Sequence, residues 1–125
     1  MPVIHAADAV VHELHGARFT SYASSASGSA ELCVWRVDLP EPSAGGVPHR
    51  ISREEVFVVI EGAVQVNVDG ASHVLSAGDV AVAPAGAMLS VENLGPGPAS
   101  AWVCTSLGLE AHLADGSRIS PPWAN

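Results

Sequence analysis

Lysine is absent from this chain, and its five basic residues are all arginines. Without lysine, Schiff-base catalysis and a P-loop phosphate site are excluded. The arginines do not cluster in any one stretch, and the formal net charge is −8. We therefore expect neither nucleic acid nor an anionic membrane as a partner.

Charged residues of both signs are also scarce. They make up 14% of the chain, against about 25% in an average soluble protein. Much of the surface must then be formed by neutral side chains or be covered in an oligomer. This shortage of charge predicts a homodimer.

Cysteine is sparse as well, with Cys33 and Cys104 standing singly in apolar runs and no CxxC spacing. That pattern is typical of buried small side chains, and a disulfide or a reactive thiol is the alternative. No basic residue precedes Arg18, and no apolar run approaches the length of a membrane span. We expect no signal peptide, no membrane contact and a cytoplasmic protein.

The 125 residues suit a single domain over residues 1–125. Seven or more short apolar runs separated by Gly and Pro predict an all-β sandwich or small barrel. Its core is expected at about residues 30–108, with the N- and C-terminal extensions packing on it. One short helix is predicted over residues 9–15, capped by Asp8 and ended by Gly16. There His12 and His15 would share a face, as solvated side chains or, alternatively, as metal ligands.

Within the core, alternation over the Leu32–Leu39 segment predicts a strand with Cys33, Trp35, Val37 and Leu39 facing inward. The dipeptide Asp69-Gly70 predicts a hairpin. The run at residues 56–60 contains only β-branched and aromatic residues, so it is expected to be a strand buried on both faces. Glu54 and Glu55 precede this run directly, which predicts an ionisable group at the rim or inside of the core.

Two segments framed by Gly and Pro resemble the two motifs of the cupin superfamily. In the first motif, the places of two histidines, a glutamate and a glycine are held by His49, Ile51, Glu55 and Gly62. In the second motif, the spacing is matched by Gly78, Pro84, Gly86, Leu89 and Asn93. The resemblance implies an all-β, double-sheet β-barrel of the jelly-roll type, commonly dimeric.

Two substitutions separate this sequence from the metal-dependent members of that family. The resemblance implies four ligand positions, of which Ile51 and Leu89 occupy two with aliphatic side chains. His49 and Glu55 remain, one ligand short of the three that a catalytic metal site usually has. We therefore expect no metal and no cofactor in the barrel.

Three functions of different classes are compatible with these residues. The favoured one is a metal-independent isomerase, cyclase or lyase in which His49 moves a proton and Glu55 orients it. The second is a barrel that binds or senses a small ligand without chemistry. The third is a metal-dependent oxygenase in which His73 or His112 supplies a substitute ligand.

The first two functions require a pocket for a small molecule. Its expected apolar lining consists of Trp35, Ile51, Phe57, Met88, Leu89 and Trp102. The alternative to any site is structural: Glu55 would pair with Arg50 or Arg53, and His49 would only be hydrogen-bonded. Trp123, close to the C-terminus, is expected to dock on the barrel and to cap one of its mouths.

Overall fold

A computed structural model describes residues 1–42 and 44–125 of the chain. Most of the regular structure consists of short strands, as expected from the β-branched runs and frequent turn residues. They are numbered in chain order: β1 Val10–Leu14, β2 Ala17–Ala23, β3 Leu32–Leu39, β4 His49–Ile51, β5 Glu55–Glu61, β6 Val64–Val68, β7 Ala71–Leu75, β8 Val80–Ala83, β9 Met88–Asn93, β10 Ala99–Ser106, β11 Ala111–Leu113 and β12 Arg118–Ile119.

The strands form two six-stranded sheets in which all the named pairs are antiparallel. The first sheet has the order β1-β2-β3-β10-β5-β8, and the second has the order β12-β11-β4-β9-β6-β7. This arrangement confirms the predicted all-β, double-sheet jelly roll. Because some neighbouring strands, such as β3 and β10 or β4 and β11, are distant in sequence, residues from both ends of the chain meet around one interior.

The core lies between the sheets and is formed by alternate residues of each strand. In β3 the predicted inward set of Cys33, Trp35, Val37 and Leu39 is buried, which confirms the alternation. In β10 the inward residues are Ala99, Ala101, Val103 and Thr105. Small side chains in the central strand β10 leave room between the sheets for larger side chains opposite.

The helix predicted over residues 9–15 is wrong. A single 3₁₀ turn at Ala6–Asp8 is followed by strand β1, which pairs with β2 in a hairpin. The β-branched pair Val10-Val11 favours a strand, and His15 and Gly16 turn the chain with positive φ angles of 52° and 75°. His12 and His15 therefore share no helix face. Among the described residues no helix has the length and hydropathy to cross a membrane.

The run at residues 56–60 is a strand, but the prediction that both faces are buried is wrong. In β5 only Glu55, Phe57 and Val59 are buried, whereas Val58 is 37% exposed. On the neighbouring strand β8, Val80 and Val82 are 55% and 57% exposed. Among the described residues, no element covers Val58, Val80 and Val82, so these valines lie on the surface.

The predicted Asp69-Gly70 hairpin is confirmed between β6 and β7, with positive φ at both residues. Gly62 also has a positive φ, and a Cβ there would lie 2.5 Å from the Pro98 carbonyl oxygen, so a side chain is excluded. The amide of Asn93 is buried and donates to the carbonyl oxygens of Leu39 and Gly97. Gly62 and Asn93 thus have structural roles: each holds neighbouring backbone segments in place.

Candidate active site

Among the described residues, Glu55 is the one buried carboxyl group. It begins β5 on the inner face, opposite Thr105 of β10 and Ala83 of β8, and is 3% exposed. Its neighbour Glu54 points the other way and is exposed. Strand alternation therefore brings one carboxyl group of the pair inside. The motif spacing had selected the same residue.

Among the described residues, the Glu55 carboxyl group has no partner that stabilises its charge. In the ranges 1–42 and 44–125, no side-chain hydrogen bond or ion pair reaches it. Arg50 donates to the Gly86 carbonyl oxygen and Arg53 to the Ser106 hydroxyl, so the predicted alternative of an ion pair is not formed. Burial raises the pKa of Glu55 to about 8. At neutral pH the group is mostly a neutral acid that can donate a proton.

His49 lies on the facing sheet. It begins β4, directly opposite Leu89 of β9, and its Nδ1 lies 3.0 Å from the Val47 carbonyl oxygen. A carbonyl oxygen only accepts, so the hydrogen of the neutral imidazole sits on Nδ1 and Nε2 keeps its lone pair. The group that orients the His49 ring is therefore the Val47 carbonyl oxygen, whereas Glu55 had been predicted to orient it.

Both residues line one cavity of about 130 Å³ between the sheets. Of the predicted pocket residues, Trp35, Phe57 and Leu89 also line it. Leu14 and His15 line it as well, and both are exposed, so the cavity reaches the surface at the turn between β1 and β2. The arrangement is a largely apolar pocket with two titratable side chains, His49 and Glu55, in its wall.

Three predicted pocket residues lie elsewhere. Trp102 faces outward from β10 and packs edge-on against Tyr22, with ring centroids 5.1 Å apart, because Ala101 and Val103 take the inward positions. Met88 precedes the inward Leu89 and so faces away from the cavity. Ile51 shares the inner face of β4 with His49, but it is packed in the core at 1% exposure instead of lining the cavity.

Several cavity residues were not predicted. Phe19 and Trp123 stack with centroids 3.9 Å apart and an interplanar angle of 9°, and both line the cavity. Trp123 was expected only to dock at a mouth. Its contact with Phe19 joins the C-terminal segment to β2, a pairing of residues more than one hundred positions apart that no local pattern indicates.

The residues present do not fit a transition-metal site. In the described part of the chain, no group of three or more His, Cys, Asp or Glu side chains can surround an ion. His112 alternates with the cavity-lining residues Ala111 and Leu113, and His73 is exposed on β7, the edge strand of the second sheet, outside the cavity lining. Neither histidine supplies a metal ligand in place of the aliphatic side chains of Ile51 and Leu89.

Restoring both missing ligands should create a metal site. The Ile51→His/Leu89→His variant adds imidazoles beside His49, because Leu89 lies opposite it and Ile51 follows on the same strand face. We expect Zn²⁺ or Ni²⁺ to bind at least about 10²-fold more tightly than to the unchanged chain. Calorimetric titration measures this. The matched control is Ile51→His/Met88→His, whose second imidazole faces away, and equal affinity in the two variants would contradict the geometry.

Comparisons with known proteins agree with the fold. The sequence profile of the family described as Cupin domain matches residues 35–105. A sugar phosphate isomerase of the cupin superfamily from Silicibacter pomeroyi is 25% identical with a TM-score of 0.68, over 86% of this chain and 74% of that one. No curated protein sequence matches the chain.

Two further solved structures have the same fold. The polyketide cyclase RemF from Streptomyces resistomycificus superposes with a TM-score of 0.74 at 14% identity, over 85% of this chain and 79% of its own. KdgF from a Halomonas species superposes with a TM-score of 0.68 at 22% identity, over 82% and 90% of the two chains. At these identities the likeness concerns the fold alone.

Proposed function

Because the chain belongs to the cupin domain family, we propose that it is a metal-independent enzyme of the isomerase, cyclase or lyase type, acting on a small molecule. The observation that carries the proposal is the buried Glu55 carboxyl group, unpaired in the wall of an apolar cavity that His49 also lines. Burying an ionisable group without a partner costs stability. Such groups cluster at sites where their proton is used.

The proposed reaction is proton transfer next to a carbonyl group. Glu55 donates its proton to the carbonyl oxygen while Nε2 of His49 takes a proton from the adjacent carbon, which leaves an enol, a carboxylate and an imidazolium. The carboxylate then recovers the enol proton, and the imidazolium delivers its proton to carbon. Delivery to a different carbon is an isomerisation, and attack of the enol carbon on an internal electrophile is a cyclisation.

Exchange of α-hydrogens tests this proposal without knowledge of the natural substrate. The protein is incubated in D₂O with 2-tetralone, a small neutral ketone, and deuterium incorporation is followed by mass spectrometry. Incorporation faster than in buffer, and lost in the Glu55→Gln/His49→Gln double variant, is the expected result. Incorporation at the rate of buffer alone contradicts the proposal.

The relative at 25% identity, which is named a sugar phosphate isomerase, supports the general reaction class of the proposal. Aldose–ketose isomerisation is itself a proton transfer next to a carbonyl, so that reaction class is compatible with Glu55 and His49. A purely ligand-binding barrel is the second candidate, favoured by the largely apolar lining of the cavity. Turnover separates the two.

We also propose that the enzyme acts as a homodimer through an uncovered patch of the first sheet. This outer apolar face consists of Val56, Val58, Val80, Val82, Trp102 and Cys104, which are neighbours in the registers of β5, β8 and β10. None of the six carries a charge, although each copy has a net charge of −8. An uncharged, self-complementary face lets two like-charged copies associate around a two-fold axis.

A charge placed on this face should separate the dimer. Val82→Asp buries an unpaired carboxylate in the proposed interface, so the dimer dissociation constant should rise at least about 10²-fold. Analytical ultracentrifugation over a range of concentrations measures it. Val74→Asp is the control, because Val74 is 61% exposed on the second sheet. A wild-type chain that stays monomeric at all concentrations would contradict the dimer.

The proposed compartment is the cytoplasm. Cys33 and Cys104 are free, and the Cys33 thiol donates to the Ala124 carbonyl oxygen over 3.1 Å. Burial raises the pKa of the Cys33 thiol, which keeps it protonated and unreactive. Unpaired thiols of this kind are typical of proteins in a reducing compartment.

A further inference from the structure

The cavity's charge distribution bears on which substrates it accepts. All five permanently cationic side chains of the protein are arginines, and each contacts a group outside the cavity. Arg18, Arg36 and Arg118 lie in ion pairs with Glu13, Asp38 and Glu110, at distances of 3.7, 3.0 and 2.9 Å. As noted above, Arg50 and Arg53 are exposed and donate to other groups. Of the described residues that line the cavity, none is an arginine.

An anionic ligand would therefore enter this cavity without a permanent positive charge to receive it. Moving an unpaired carboxylate or phosphate from water into an apolar site is strongly unfavourable. The net charge of −8 adds long-range repulsion during approach. Phosphorylated sugars and carboxylates are disfavoured on both counts.

A cationic ligand meets the opposite difficulty. It would have to convert Glu55 to its carboxylate, and the carboxyl group has no hydrogen-bond donor from the described residues to support that charge. Desolvating two ions costs more than their attraction returns unless further hydrogen bonds are made. A neutral ligand avoids this cost, because the acid can donate a hydrogen bond to an oxygen acceptor.

The aromatic lining of the cavity favours a ligand that contains a ring. Phe19 and Trp123 lie stacked at 3.9 Å on one side, and Trp35 and Phe57 contribute aromatic surface from the first sheet. Aromatic faces bind flat apolar groups by offset stacking and edge contacts. The polar anchor in this wall is the Glu55 carboxyl group.

We propose that this site takes an uncharged, ring-containing carbonyl compound, with its carbonyl oxygen against the Glu55 carboxyl group, and rejects anions. The inference rests on the proposed function in placing the substrate in this cavity, but it concerns binding and not turnover. It also separates this chain from the sugar phosphate isomerase at 25% identity, since a phosphorylated sugar is an anion.

The test compares three probes that share one bicyclic skeleton: 2-tetralone, 2-tetralone with a carboxylate on its aromatic ring, and protonated 2-aminotetralin. Binding is followed by tryptophan fluorescence, because Trp35 and Trp123 line the cavity. The background is a Trp102→Phe chain, which removes the tryptophan on the outer face. At pH 7 we expect the neutral ketone to bind at least about 10-fold more tightly than either charged probe. Equal or tighter binding of a charged probe, or quenching by none, overturns the inference.

A gain-of-function variant adds a second test. Leu14 is 36% exposed at the cavity mouth, so Leu14→Arg places a cation there without burying it. The carboxylate probe should then bind at least about 5-fold more tightly, whereas Leu32→Arg, on an exposed site of the outer sheet surface, should leave its affinity unchanged. An unchanged affinity in Leu14→Arg, or an equal gain in Leu32→Arg, overturns the charge argument.

Deuterium exchange of the bound ketone keeps this inference separate from the proposed function. If 2-tetralone binds selectively but exchanges no faster than in buffer, the ligand class stands and the acid–base enzyme fails. If it exchanges rapidly and the carboxylate probe exchanges equally well, the enzyme stands and the ligand class fails.

Discussion

Glu55→Gln should lower the rate of α-hydrogen exchange at least about 10²-fold while leaving ligand affinity within about 3-fold. Gln has nearly the same size and still donates a hydrogen bond, but it cannot transfer a proton. The carboxyl group that it replaces is 3% exposed in the cavity wall. The loss should therefore fall on kcat and not on KM, as steady-state kinetics with 2-tetralone can determine.

The adjacent glutamate provides a matched control. Glu54 is exposed, and in the described part of the chain its side chain makes no hydrogen bond or ion pair, so Glu54→Gln should retain the wild-type rate. A Glu55→Gln protein that exchanges 2-tetralone as fast as the wild type would remove Glu55 from the chemistry.

The same carboxyl group should make stability depend on pH. Its pKa is about 8 in the folded chain and about 4.3 when unfolded, so the folded state holds more protons between these values. The free energy of unfolding should fall as pH rises from about 4.3 to about 8, by up to about 1.4 kcal/mol per pH unit, and level off above. Glu55→Gln should remove this component, as urea denaturation at several pH values would measure.

His49→Gln is expected to lower the exchange rate by at least about 10²-fold as well. Gln preserves hydrogen bonding and approximate size, but it removes the Nε2 lone pair that takes the proton. The Gln amide can donate to the Val47 carbonyl oxygen in place of Nδ1, which lies 3.0 Å from it, so the substitution should leave the fold and the unfolding temperature nearly unchanged. Rate measurements with thermal denaturation of the same samples separate catalysis from stability.

The controls for His49 are two histidines outside the cavity. His73→Gln and His112→Gln change the same side chain on β7 and β11, where both are exposed, and should keep the full rate. If His49→Gln also keeps it, His49 is not the base and the ligand-binding function becomes the better account.

Local sequence patterns predicted the architecture because strands and turns are encoded by near neighbours. Alternation in β3 placed Trp35 and Val37 inward, and Asp69-Gly70 located a hairpin. The spacing from Glu55 to Gly62 selected the glutamate that is buried. Each of these signals depends on residues within about ten positions of one another.

The wrong predictions concern residues whose positions depend on contacts with distant parts of the chain. Trp102 was expected in the apolar lining of the pocket, but the inward positions of β10 are occupied by Ala101 and Val103. The strand at residues 56–60 was predicted to be buried on both faces, yet within residues 1–42 and 44–125 no element covers the outward Val58. The short N-terminal segment pairs with β2 as a strand, and this pairing outweighs its weak helix signals.

The site's chemistry was predictable only in part. His49 and Glu55 could be chosen from the resemblance to the cupin motif, but the Val47 carbonyl oxygen that fixes the His49 tautomer is a backbone group without a sequence signal. The raised pKa of Glu55 follows from burial by strands β8 and β10. Phe19 and Trp123 meet only after the chain has closed.

The proposed chemistry requires that the cavity wall hold a neutral carboxylic acid, Glu55, at physiological pH. Nuclear magnetic resonance of protein labelled with ¹³C at glutamate Cδ measures this directly, with the Glu55 signal assigned by its absence from Glu55→Gln. A titration midpoint near the value of about 8 is the predicted result. A midpoint near the ordinary value of about 4.3 would show an ionised carboxylate and contradict the account.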